Sequence, residues 1–216
     1  MTPQGGATVV TEARQAVAAE GLEVRYHGGP QPAVTGVSIA LAPGDGLLVT
    51  GDESSGKTSL LRGLLGLTPA GGDVRVLGAP AGDPAALRRV GYGPQGREFA
   101  GALTAGELLG VIARLRGAAR PREAVADALG RAGLGGARLR GTGLGPEEAR
   151  RLSLAAAILG DPELLVLDDP WEFPDTVAEI ARARARGAAV IVTTREPAAF
   201  SEALGRTLTL VDGKPA

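Results

Sequence analysis

The sequence predicts an α/β chain with a largely parallel sheet and helices on its faces, and three observations carry that prediction. The stretch Gly51-Asp52-Glu53-Ser54-Ser55-Gly56-Lys57-Thr58 fits G-x-x-x-x-G-K-[ST], a glycine-rich loop set between a strand and a helix. Short apolar runs alternate with stretches of helical periodicity, the order that parallel strands and crossover helices require. One of these runs, Leu164-Leu165-Val166-Leu167, ends in two carboxylates, Asp168 and Asp169. Charge delivered at that end of a strand lies where open parallel sheets gather their ligands.

Taken in order, residues 1 to about 19 carry no strong pattern and are expected to form an extension ahead of one domain over 20–216. Gly21 to Tyr26 alternates like a strand, with Leu22, Val24 and Tyr26 on one face, and His27-Gly28-Gly29-Pro30 ends it as a turn. Val34–Leu41 reads as the second strand, Ala42–Gly46 as a turn, and Leu47–Thr50 as the strand feeding the glycine loop. A helix opens over Ser59–Leu65. Gly72–Gly78 is a short strand closing in a turn, and Arg88–Gln95 a strand followed by loop.

From about 104 to 160 the periodicity is helical. Leu108, Leu109, Ile112 and Leu115 fall at spacings that make one apolar face. Pro121 suits the first turn of a helix over Arg122–Ala132, and Gly133–Gly145 is a glycine-rich connection. Pro146-Glu147-Glu148 starts a helix running to about Leu159, stopped by Gly160-Asp161-Pro162. Glu163–Asp169 is a buried strand, Val177–Arg186 a helix, Ala188–Thr194 a strand, and Thr207–Val211 a last strand before the Asp212-Gly213 turn. The Ala-Arg alternation at 181–186 reads as a solvated helix face.

Composition narrows the function classes. At 216 residues the chain is long enough to bury a core, and its 44% hydrophobic and 22% charged residues are those of a globular protein. A formal charge of −1 argues against nucleic acid as a main partner. The absence of cysteine excludes disulfides and thiolate metal sites. There is no run of 18 apolar residues and no basic segment followed by an apolar one near residue 1, so a cytoplasmic chain is expected.

The chemistry follows from the motifs. Backbone N–H groups of such a loop wrap nucleotide phosphates, Lys57 reaches the β/γ-phosphates, and the Thr58 hydroxyl suits Mg²⁺. Residues Gly51 through Thr58, with Ser59 at the helix start, are therefore the candidate phosphate ligands. Asp168 is the candidate for holding Mg²⁺, directly or through water, and Asp169 for orienting an attacking water.

With these motifs in this order, the chain resembles the ATP-binding subunits of ABC transporters from about residue 20 to 214. Tyr26 sits where that family stacks an aromatic ring on adenine. Tyr92-Gly93-Pro94-Gln95 looks like its Q-loop, which makes Gln95 the expected sensor of γ-phosphate and Mg²⁺. Arg151 to Pro162 resembles the helix between the signature motif and the second carboxylate motif, and Gly213 fits the family's ending. The resemblance implies a P-loop NTPase with a RecA-like, largely parallel core, an antiparallel β portion and an inserted helical subdomain at about 96–160. It further implies ATP and Mg²⁺ as cofactors, membrane-spanning permease subunits and a second ATP-binding subunit as partners, and a place on the inner face of the cell membrane.

Four departures bear on hydrolysis. The family signature Leu-Ser-Gly-Gly-Gln falls on Leu144-Gly145-Pro146-Glu147-Glu148, which lacks the hydroxyl, offers no N–H at Pro146 and adds two acids. A shifted register over Gly141–Gly145 is the alternative source of amides. Asp169 stands at the catalytic glutamate position, one methylene short, and Thr194 at the switch histidine position. Ser54 replaces a glycine of the family loop, with Asp52 and Glu53 beside it. Trp171 and Phe173, in a segment where Asp175 alone matches the family, read as local core or interface. Two functions stay open on this reading: an ATPase with weak turnover, and a degenerate ATP-binding subunit that completes a heterodimer. A P-loop small-molecule kinase is a third, less favoured by the long helical insertion.

Overall fold

Strands buried on both faces form the centre of the molecule. β1 (Val17–Val24), β2 (Val34–Leu41), β4 (Ala70–Val76) and β5 (Ala79–Pro80) make an antiparallel sheet of order β2-β1-β4-β5. β3 (Gly46–Thr50), β6 (Val90–Gly93), β7 (Leu164–Asp168), β8 (Ala189–Thr194) and β9 (Thr207–Val211) pair in parallel, and β10 (Lys214–Pro215) closes their edge as a hairpin. That second sheet has the order β10-β9-β3-β8-β7-β6. The computed structural model describes residues 15–29, 31–95, 103–135 and 144–216.

Two cores follow from the two-residue period of the strands. Leu47, Val49, Val166 and Ile191 face α1 (Lys57–Leu64), whose Leu60, Leu61 and Leu64 pack in turn against Val17, Leu22 and Val24 of β1. Leu48, Leu165, Leu167, Val190 and Val192 point the other way. They meet α3 (Ala105–Leu115), α4 (Pro121–Arg131), α5 (Pro146–Ile158), α6 (Pro174–Ala185) and α7 (Ala198–Leu204). β3, β7 and β8 bury every residue because both of their faces are covered.

Several elements differ from the sequence reading. β1 starts at Val17 rather than Gly21, inside the first nineteen residues, and ends before Tyr26. A register shift between Ala19 and Leu22 breaks the alternation there, which hides the strand's first half from a period-two search. α3 buries Ala105, Leu109 and Ala113 at four-residue spacing, with Leu108 and Ile112 beside them, while Leu115 is 68% exposed on the far side. A capping box between Thr104 and Glu107 sets where that helix starts. α7, β5 and the one-turn α2 (Pro84–Leu87) are additions, too short to show a period. In the 181–186 run, Ala183 is buried and Arg184 binds the carbonyls of Gly44 and Ala203, so the run is more than a solvated face.

α5 approaches β6 closely at Gly91. A Cβ on Gly91 would lie 1.9 Å from the Ala157 carbonyl oxygen. Gly91→Ala is expected to lower stability by about 3 kcal/mol. Gly130→Ala, in α4 with open space around it, is expected to gain up to about 1 kcal/mol of helix propensity. Urea unfolding midpoints of the two variants check the contrast.

Candidate functional site

The N-terminus of α1 and the C-terminal ends of β3, β7 and β8 meet at a cavity of about 390 Å³. Residues 53–59 form one wall; Gln95, Asp168, Asp169 and Arg195 form the other. The loop is held from behind. Gly213 donates its N–H to the Ser55 carbonyl at 3.1 Å, and Thr35 donates to the Gly213 carbonyl at 2.8 Å. Gly56 has φ 100°, and a Cβ there would meet the Ala33 carbonyl at 2.5 Å, so the pattern's second glycine is demanded by geometry. Ser54 takes φ 63° in the same loop without that freedom, at a cost on the order of 1 kcal/mol.

Lys57 folds back over this loop. Its Nζ donates to the carbonyl oxygens of Gly51 at 2.7 Å and Asp52 at 2.6 Å, and to Ser55 Oγ at 3.3 Å. Asp52 thus contributes its carbonyl, while its side chain stays exposed. Burial pushes the Lys57 ammonium below its ordinary value, against the pull of Asp169, Asp168 and Asp52; Arg195 acts in the same direction as burial.

Asp168 is 3% exposed. Its Oδ1 accepts from Thr58 Oγ1 at 3.1 Å and from Thr193 Oγ1 at 2.7 Å, whereas Oδ2 is buried with no hydrogen-bond partner. Burial raises the Asp168 carboxyl above its usual range, and the Thr193 and Thr58 hydroxyls pull it part of the way back. Among the described residues no group of three or more His, Cys, Asp or Glu could hold a metal ion. One hydroxyl and one orphaned carboxylate oxygen do fit a hard cation that keeps most of its ligands as water and phosphate, as Mg²⁺ does.

Asp169 follows with φ 47°, its N–H bonded to the carbonyl and hydroxyl of Thr193. Gln95 Nε2 donates to Asp169 Oδ2 at 2.7 Å, and Ser153 Oγ of α5 holds the preceding Pro94 carbonyl at 2.8 Å. Tyr26 is 37% exposed and outside the cavity lining, its hydroxyl donating to Ser59 Oγ at 3.2 Å. Glu53 is 85% exposed and pairs with Arg195 at 3.7 Å.

The structure therefore brings Glu53–Ser59, Gln95, Asp168 and Asp169 around one cavity, while Gly51 and Asp52 are outside its lining and offer their carbonyls to Lys57, and Tyr26 is linked through Ser59. Thr193, Arg195 and Ser153 are the participants that the sequence reading left without a role. Thr193 had a signal, since a hydroxyl at the end of a buried apolar strand has to find a partner.

At the start of α5, Gly145 N–H donates to its own helix's Glu148 Oε2 at 2.7 Å. The alternative register at Gly141 lies partly outside the described residues. Trp171 and Phe173 pack on each other with ring centroids 5.1 Å apart, Arg150 over the first ring and Arg151 over the second, which is local packing. Among the described residues no helix is long and apolar enough to cross a membrane.

Asp168→Asn removes a charge whose burial is disfavoured and keeps an oxygen for the two threonines. Without nucleotide or metal it is expected to stabilise the fold by about 1 kcal/mol, a rise in Tm of about 2–4 °C. Thermal unfolding at neutral pH checks this; a lower Tm contradicts it.

Comparison with known proteins agrees with the geometry. The sequence pattern of the family described as ABC transporter matches residues 34–172. The chain is 36% identical over 182 residues to the Nod factor export ATP-binding protein I of Rhizobium meliloti, covering 77% of this chain and 53% of that one. It is 35% identical over 202 residues, 86% of each chain, to a protein of Halobacterium salinarum described as an ABC transporter ATP-binding protein. The chain thus spans about half the length of the first relative. Its fold matches an ATP-binding cassette solved as a dimer in a post-hydrolysis state with ADP and Pi, with a TM-score of 0.82 at 19% identity over 92% of this chain and 96% of that one. Pattern and relatives identify the lineage, and the fold agrees: the chain belongs to the family of ABC transporter ATP-binding proteins.

Proposed function

We propose that the chain binds MgATP in this cavity, as one of two ATP-binding chains that together drive a membrane-spanning permease from its cytoplasmic face. The observation that carries the reading is the Thr58–Asp168 hydrogen bond, which puts the loop's hydroxyl and the strand's carboxylate within reach of one ion. The loop amides and Lys57 bind the phosphates; an anionic phosphate oxygen is a stronger acceptor for Lys57 than the carbonyls it now holds. Thr58 and Asp168 Oδ2 would hold Mg²⁺, which supplies charge neutralisation at the phosphates. Tyr26 would stack on the base, a reading supported by its hydrogen bond to Ser59, which lines the cavity.

Asp169 orients the attacking water, and Gln95, bonded to Asp169 Oδ2, sets the direction of its free oxygen. Turnover is slow for two reasons. The carboxylate is one methylene short, and misplacement on the order of 1 Å costs about a hundredfold. The amide at the start of α5 is already occupied by Glu148, so it is poorly disposed to grip a phosphate on a second chain. That second point also favours the other reading, a chain that binds ATP and leaves hydrolysis to an intact partner.

Lys57→Ala is expected to weaken binding of a non-hydrolysable ATP analogue at least about a hundredfold, the loss of a charge-assisted contact to a desolvated anion. Equal affinity by titration calorimetry sinks the site assignment. Phosphate release by the wild type is expected below about 1 s⁻¹. Asp169→Glu should raise it, with some loss of stability from glutamate at φ 47°. Wild-type turnover at or above that rate excludes the non-hydrolysing reading.

A further inference from the structure

The end of β8 carries a cation that neither the family pattern nor the proposed chemistry accounts for. Thr194, 4% exposed, is absent from the cavity lining, its hydroxyl accepting from the Glu196 N–H at 3.0 Å. The next residue, Arg195, lines the cavity instead, together with Lys57, Gln95, Asp168 and Asp169. Its ion pair with Glu53 is loose: 3.7 Å, with the two side chains 58% and 85% exposed. Such a pair contributes about 0–1 kcal/mol, so it yields readily to a better anion. A planar guanidinium binds two phosphate oxygens at once, which a distant carboxylate does not match.

Charge balance points the same way. Three carboxylates line the cavity, Glu53, Asp168 and Asp169, against two cations, Lys57 and Arg195. In a loop of this pattern backbone amides cradle the first two phosphates and Lys57 reaches the second and third. A third phosphate would bring further charge into the cavity lined by Asp168 and Asp169, where Arg195 is the cation besides Lys57.

We propose that Arg195 leaves Glu53 to bind the terminal phosphate, and so makes this cavity select nucleoside triphosphates over diphosphates. The proposal rests on the nucleotide site argued above. The test compares Mg²⁺-dependent binding of AMPPNP and of ADP to the full chain by calorimetry, in the wild type and in Arg195→Ala, Arg195→Lys and Lys57→Ala. Arg195→Ala should weaken AMPPNP about tenfold, the worth of one charge-assisted hydrogen bond, and leave ADP within about twofold. Arg195→Lys should recover part of the loss, because it keeps the charge without the fork. Exposure of the side chain makes a folding defect unexpected, and melting temperatures verify that each variant is folded. Equal losses for both nucleotides, or no loss for either, overturn the role of Arg195. If Lys57→Ala loses both nucleotides while Arg195→Ala loses neither, the nucleotide site stands and Arg195 is removed from it. A wild type that binds neither nucleotide overturns the site and the proposal together.

Discussion

The Asp168 carboxylate is the point on which the site depends. It is a charge placed at the end of a strand whose other residues are apolar, and it is tolerated because two hydroxyls satisfy one of its oxygens. One hydroxyl comes from α1 and the other from β8, so this carboxylate ties the glycine loop, β7 and β8 at their common end. The same burial leaves the second oxygen without a partner. A stable fold gains nothing from that orphan, and a bound cation does. Local destabilisation concentrated at one atom is the pattern expected where function sets the residue.

Holding the loop against that carboxylate is the work of the two sheets together. α1 is clamped between β1 on one side and the parallel sheet on the other, through Leu60, Leu61 and Leu64. The turn at Gly213 then hydrogen-bonds the back of the loop, and Thr35 of β2 holds that turn in place. The loop's residues are thus placed by parts of the chain far away in sequence.

α5 links the helical region to the cavity. Its backbone presses on Gly91, its Ser153 hydroxyl holds the carbonyl before Gln95, and Gln95 holds Asp169. Arg116 of the chain after α3 caps the far end of α5 at the carbonyl of Leu159; burial pushes that guanidinium down to about 10. Arg131 of α4 binds Glu179 of α6 along with Asp127 and Asp161. Hydrogen bonds thus join the α3 and α4 region to α5 and α6, and α5 in turn to the segment that carries Gln95.

The sequence alone was enough to place the strands of the parallel sheet, the loop and the carboxylate pair. Those signals are local: an unbroken apolar run, a fixed glycine spacing and a charge at the end of a run. It also located the start of α5, because Gly145, Pro146 and Glu148 act within one helical turn. It misplaced the start of β1, whose alternation is broken by a register shift that exists through pairing with β2. It put Leu115 on the apolar face of α3, yet that side chain is exposed, since periodicity gives the angle between side chains and not which side the core lies on. It gave no role to Thr193, Arg195 or Ser153. Each of these acts across a distance of 25 to 142 residues in the chain, on Asp168, Glu53 and Pro94, and such a partner becomes visible when the sheet brings the two together.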